Sequence, residues 1–241
     1  LIRWGGQRLI SIFIAISIFF TLIYVFQAIS ALIIGFTDLS LVISFVVAIL
    51  ATILLYRYPE WYVIDGLGIL IAGGIAAIFG NSLAILPVIV LLILLAIYDA
   101  ISVYRTKHMI TLAEGVLQTR APILFVIPKR ADYSFTREGI SMKDQEHGAE
   151  RGAFIMGMGD LIMPTILVVS ANVFLRPETG GLITIPAIGA IVGSLAGLAV
   201  LLFYVNRGKP QAGLPPLNSG TIGGFLVGCA IVGAWAWVPF V

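Results

Sequence analysis

The chain has 241 residues, of which 60% are hydrophobic and 11% charged, with a formal net charge of +2 and a mean hydropathy of +1.08. Soluble domains carry roughly 45–50% apolar and about 25% charged residues, so charges this sparse cannot cover a water-facing surface, and an integral membrane protein set in a lipid bilayer is expected. The net charge is too small for a nucleic-acid partner, and one cysteine (Cys229) with two histidines (His108, His147) exclude a disulfide scaffold and a zinc-binding HExxH helix, so no metal and no cofactor is expected.

A membrane-crossing helix needs roughly 20 mainly apolar residues. In chain order the candidates are Leu9–Phe26 (with an extension towards Phe36), Leu39–Tyr56, Trp61–Phe79 and Leu83–Tyr104, followed after a polar stretch by Gly152–Phe174, Leu182–Tyr204 and Leu214–Val238. These seven segments lack the period-two alternation of barrel strands, and closed barrels are the other architecture that can span a bilayer. The expected fold is therefore all-α, a polytopic transmembrane helix bundle. It reads as one membrane-embedded domain over 1–241: spans in 1–104, a connecting loop over 105–151 and further spans in 152–241. Within the loop, His108–Leu117 is mildly amphipathic and suits the membrane surface. Ala121–Ile127 is apolar but too short to span, and Asp132–Glu146 is polar.

Cytoplasmic loops hold the excess of lysine and arginine. Arg3 and Arg8 precede the first span, Arg57 follows the second, eight basic residues lie between Arg105 and Arg151, and Arg207 and Lys209 follow the sixth span. With seven spans, thirteen of the fourteen basic residues fall on one side and Arg176 alone on the other. The amino end and loop 105–151 are thus expected in the cytoplasm and the carboxyl end on the opposite side. Glycines recur every fourth residue in the last two spans, Gly189, Gly193 and Gly197 in one and Gly220, Gly224 and Gly228 in the other. Such spacing sets them on one helix face and predicts close backbone packing.

Two acids stand where acids are costly. Asp99 lies in LLAIYDAISVY and Asp160 in AFIMGMGDLIMP, and an acid at mid-helix costs about 2.5–3.5 kcal/mol on insertion scales. Asp65 falls near the cytoplasmic start of the third span and reads as interfacial, without a role. At about 1.5 Å per helical residue, Asp99 lies about 9 Å from the boundary at Arg105, and Asp160 about 13 Å from that at Arg151. The two carboxylates thus fall at similar depth and can face each other if their helices touch. Facing carboxylates in a low-dielectric site share a proton, the arrangement that aspartic proteases use to activate water against a peptide bond. Transporters and pumps also keep acids at mid-membrane, so the acids alone leave hydrolysis and transport both open.

Their surroundings favour hydrolysis. Tyr98-Asp99, Gly157-Met158-Gly159-Asp160 and Leu214-Pro215-Pro216-Leu217 resemble, in order, the YD, GxGD and PAL motifs of the presenilin and signal peptide peptidase family of intramembrane aspartyl proteases. The resemblance covers Leu83 to the carboxyl end well and the first eighty residues poorly. It implies that Asp99 and Asp160 are catalytic, that Gly157 and Gly159 leave room beside the acid, and that the segment Leu214–Leu217 holds substrate near the active site. Pro216 stands where the family has alanine, which removes a backbone N–H at that position. The topology matches presenilins, whereas signal peptide peptidases run the opposite way. The family pattern has nine spans with the first aspartate in the sixth, so two amino-terminal spans would precede those read here.

The expected function is that of an intramembrane aspartic endopeptidase acting on single-span transmembrane substrates, with accessory subunits or a homo-oligomer as candidate partners. The family cleaves extended substrate, and Ala121–Ile127 could offer a strand edge for it. The rival readings are a prepilin-peptidase-like protease, which shares GxGD but lacks PAL, and a proton-coupled transporter or leak channel.

Overall fold

In a computed structural model, residues 5–106, 124–128, 134, 153–179, 182–205 and 212–238 are described. The helices are α1 (Gly5–Ile34), α2 (Asp38–Arg57), α3 (Trp61–Ser82), α4 (Ile85–Ile101), α5 (Met158–Thr179), α6 (Ile185–Val205) and α7 (Leu214–Val232). A π-helical turn, Ser102–Thr106, continues α4, and two strands, β1 (Leu124–Pro128) and β2 (Ala153–Gly157), lie between it and α5. Among the described residues, all seven helices are long and apolar enough to cross a membrane, α4 with its π-turn spanning Ile85–Arg105. Their outward residues are large and apolar, among them Phe13, Phe20, Leu50, Leu94 and Phe203, as a lipid-facing surface requires.

The chain divides into two units, Leu1–Gly74 with Leu112–Met158, and Ile75–Thr111 with Gly159–Val241. The first contains α1, α2, the start of α3 and the two strands. Gly35, at φ +83°, turns the chain between α1 and α2. Thr37 caps α2 through a reciprocal box with Ser40, which satisfies amide groups that the bilayer could not. The buried face of α2 runs through Ser40, Ser44, Ala48, Ala51 and Leu55, small residues at helical spacing that let helices approach. Polar bonds join α1 to α2 here: Gln27 Nε2 donates to Ser40 Oγ at 3.0 Å, and the Ser30 and Ser44 hydroxyls lie 2.8 Å apart. On α3, Gly74 leaves space that Val25 of α1 fills.

The strands pair antiparallel, with Leu124 opposite Gly157, Val126 opposite Ile155 and Pro128 opposite Ala153. Part of the segment 121–127 is therefore a strand, residues 121–123 lying outside the described residues, as do the stretches 108–117 and 135–146. The fifth span departs from expectation: residues 153–157 are extended, and the helix begins only at Met158. Pairing with β1 accounts for this, because Phe154-Ile155-Met156 offers β-branched and apolar residues to a ladder.

The second unit packs around Val88, Ile89 and Leu92 of α4, Ile166, Leu167, Ala171 and Leu175 of α5, Ala187 and Ala190 of α6, and Phe225 and Cys229 of α7. Ser170 on α5 donates to the Leu83 carbonyl at 2.8 Å, holding α5 against the chain entering α4. Between α6 and α7 the glycines meet as their spacing predicts. A Cβ on Gly193 would collide with the Gly220 carbonyl, and one on Gly189 with the Gly224 carbonyl. The last helix is shorter than Leu214–Val238, because Gly233 at φ +71° ends it by donating to the Cys229 carbonyl. The chain then returns so that Trp237 packs on Phe225, ring centroids 5.3 Å apart.

Candidate active site

Asp99 continues the buried stripe of α4 that includes Ile85, Val88, Ile89 and Leu92. Seven residues make two helical turns, so the face that places Leu92 in the core also places Asp99 inside, 4% exposed. Its neighbour Tyr98 lies on another face and is 67% exposed. Of the YD pair, then, only the acid is turned inward.

Asp160 arrives by another route. It is the third residue of α5, in the first turn of the helix, with β2 immediately before it. The depth count from Arg151 took these residues as helical, whereas strand residues advance about 3.3 Å each rather than 1.5 Å. That count is corrected: Asp160 sits at the start of its helix, not nine helical residues into it.

What brings the two acids together is the start of α7. Leu214 N–H donates to Asp99 Oδ2 at 3.0 Å, and the Gly213 N–H also bonds to Asp99. At the same Gly213, an added Cβ would lie 2.6 Å from Asp160 Oδ2. Both carboxylates thus border one dipeptide. The first N–H groups of a helix have no partner within it. In α7 two of these positions are Pro215 and Pro216, which carry no N–H, and the Leu214 N–H is taken by Asp99. The prolines therefore leave fewer orphaned donors and stiffen the entry, while the positive end of the helix dipole meets the acid. Replacement of alanine by proline at position 216 does not disturb this contact, because the donors come from the two residues before the prolines.

Leu214, Pro215 and Pro216 are half-buried and Leu217 is fully buried. Gly197 of α6 supports them: a Cβ there would lie 2.9 Å from Leu217 Cα. Within GxGD the residues differ in surroundings. Met158 is buried, and its methyl group fills the space left by Gly68 of α3. Gly159 is exposed, and among the described residues a Cβ added there meets nothing within 4 Å.

Three residues near the site were given no role by the sequence. Gly213 is needed where Asp160 approaches, and nothing in its local sequence announces that approach. Asn218, fully buried in α7, donates from Nδ2 to the Leu92 carbonyl of α4 at 2.9 Å, while its Oδ1 has no partner among the described residues. A buried amide one helical turn after the LPPL segment was its available signal. Asp65, to which the sequence assigns no role, is buried at 9% exposure and accepts the Val126 N–H of β1 at 2.9 Å.

Comparison with known proteins shows the family of the chain. Residues 2–234 match the family described as signal-peptide peptidase, presenilin aspartyl protease. Two solved structures of a presenilin family intramembrane aspartate protease, in the C222 and P2 space groups, are similar to the chain. Each is 51% identical over 95% of it, covering 77% and 76% of those chains with TM-scores of 0.67 and 0.66. No curated protein sequence matches the chain significantly. A matched family over nearly the whole sequence, with half-identical solved relatives, makes this a multi-pass membrane protein of the signal-peptide peptidase and presenilin family of intramembrane aspartic endopeptidases.

Proposed function

We propose that the enzyme hydrolyses peptide bonds within the transmembrane helices of single-span proteins, using Asp99 and Asp160 as one acid–base pair. The observation that carries this is the convergence of both carboxylates on Gly213–Leu214. In a site of low dielectric such a pair holds a single proton. The ionised member takes a proton from the attacking water, and the protonated member donates to the developing oxyanion and then to the leaving amine. No covalent intermediate is required. A peptide bond inside a helix is sheltered by its hydrogen bonds, so the substrate unwinds before it is cut. Leu214–Leu217 would hold the unwound segment, and the open face at Gly159 would give it room.

The distribution of lysine and arginine supports an amino end and a 105–151 loop in the cytoplasm, with the carboxyl end opposite. Water would then enter from the cytoplasmic side. The seven spans would act as a single protease domain over 1–241.

Reconstitution into liposomes with a single-span substrate tests the reading. Asp99→Ala and Asp160→Ala are each expected to lose cleavage by about 10²–10⁴-fold or more. Cleavage persisting in either variant refutes the pair. Absence of cleavage in the unaltered protein, with aspartate-dependent ion flux, would favour the transport reading instead.

A further inference from the structure

Asp65 is an acid buried in the membrane-spanning α3, and the acid–base chemistry makes no use of it. Its Oδ1 accepts the Val126 N–H. A strand residue cannot send its N–H both to a neighbouring strand and to a side chain on the other edge. Val126 therefore forms a non-hydrogen-bonded pair with Ile155, its partner in register, and the N–H and C=O of Val126 face away from β2. By the same alternation Pro128 also faces outward, where it has no N–H to offer. The outer edge of β1 thus has one donor occupied by Asp65 and the next absent. Ile155 faces the opposite way, and among the described residues none hydrogen-bonds to its outward groups. The edge expected of 121–127 is closed at its centre, which leaves β2, among the described residues, as the edge with free groups for an extended segment.

The same stretch of α3 holds more of this region. Gly68, one turn beyond Asp65, receives the Met158 side chain, and Glu60, just before α3, accepts the Ser134 hydroxyl at 2.9 Å. β2 runs directly into Met158, and Asp160 is the third residue of the helix that begins there.

We propose that Asp65 is a positioning residue for proteolysis: its carboxylate clamps β1 through Val126 and closes that edge, so that substrate is aligned along β2 alone. The inference rests on the protease reading above. It makes the acceptor oxygen of Asp65, rather than its charge, the functional element.

The experiment is steady-state cleavage of a single-span substrate in proteoliposomes, with kcat and KM separated and product termini read by mass spectrometry. Asp65→Ala is expected to raise KM about tenfold, the scale of one lost hydrogen bond, with kcat little changed and cleavage spread over neighbouring bonds. Asp65→Asn keeps an acceptor oxygen and should restore KM to within about twofold. Val126→Pro removes the donor from the other side and should reproduce Asp65→Ala, the double variant being no worse than either single. This variant decides the question should Asp65→Ala not insert stably. A wild-type KM and unchanged products in Asp65→Ala, an Asp65→Asn as impaired as Asp65→Ala, or additive effects in the double variant would overturn the role of Asp65. Absence of cleavage in the unaltered protein would instead overturn the protease reading on which it rests.

Discussion

The two aspartates are presented by opposite means. Asp99 lies within a continuous helical stretch, on the stripe that packs into the core, and accepts two backbone N–H groups. Asp160 lies in the first turn of a helix that follows a strand, with open space at Gly159 and a close neighbour at Gly213. One acid is fixed by the packing of its whole helix, and the other by a junction and a single glycine. Damage to the first should therefore register as lost stability together with lost activity. Damage to the second should register in activity alone.

The largest effect is expected on the Asp99 side. Leu92, fully buried two turns before Asp99, should cost about 2–5 kcal/mol when changed to alanine, measured as a fall in thermal unfolding temperature in detergent with a parallel fall in cleavage. Next comes Gly213→Ala. Its methyl group would meet Asp160 Oδ2 at 2.6 Å, and a carboxylate displaced by about 1 Å can cost about 10²-fold in rate. Here kcat should fall while the unfolding temperature holds. Asn218→Ala removes the bond to the Leu92 carbonyl and should cost about 0.6–2 kcal/mol in stability, again read by thermal unfolding. Gly159→Ala should be smallest, within about 0.5 kcal/mol, because the added methyl meets nothing within 4 Å among the described residues. A large loss of cleavage in that variant at unchanged stability would show that substrate uses the space beside Gly159.

The same contrast explains what could be read without coordinates. Asp99 was legible because a helix carries its periodicity in the sequence: Leu92 and Asp99 share a face by arithmetic alone. The glycine trios of α6 and α7 were legible for the same reason, and they meet as their spacing required. Asp160 was legible as a motif but misplaced in depth, since the apolar run over 153–157 suits a strand or a helix. Pairing with β1, remote in sequence, decides between them. The end of α7 at Gly233 was missed because the tryptophans beyond it are apolar enough to continue a span, whereas in the fold Trp237 turns back onto Phe225. Asp65 was given no role because its partner, the Val126 amide, is supplied by a strand 61 residues away. Gly213 and Asn218 act through contacts with helices distant in sequence. Local pattern thus finds residues that act through their own helix and passes over those that act through another.

The central claim is that Asp99 and Asp160 work as one unit at Gly213–Leu214, and the rates of Asp99→Asn, Asp160→Asn and the double variant on a single-span substrate test it most directly. Residues that act together are non-additive, so either single change should already remove nearly all that the double change removes. The account predicts residual rates that agree within about threefold among the three variants. A double variant slower than both singles by the product of their separate effects would contradict it.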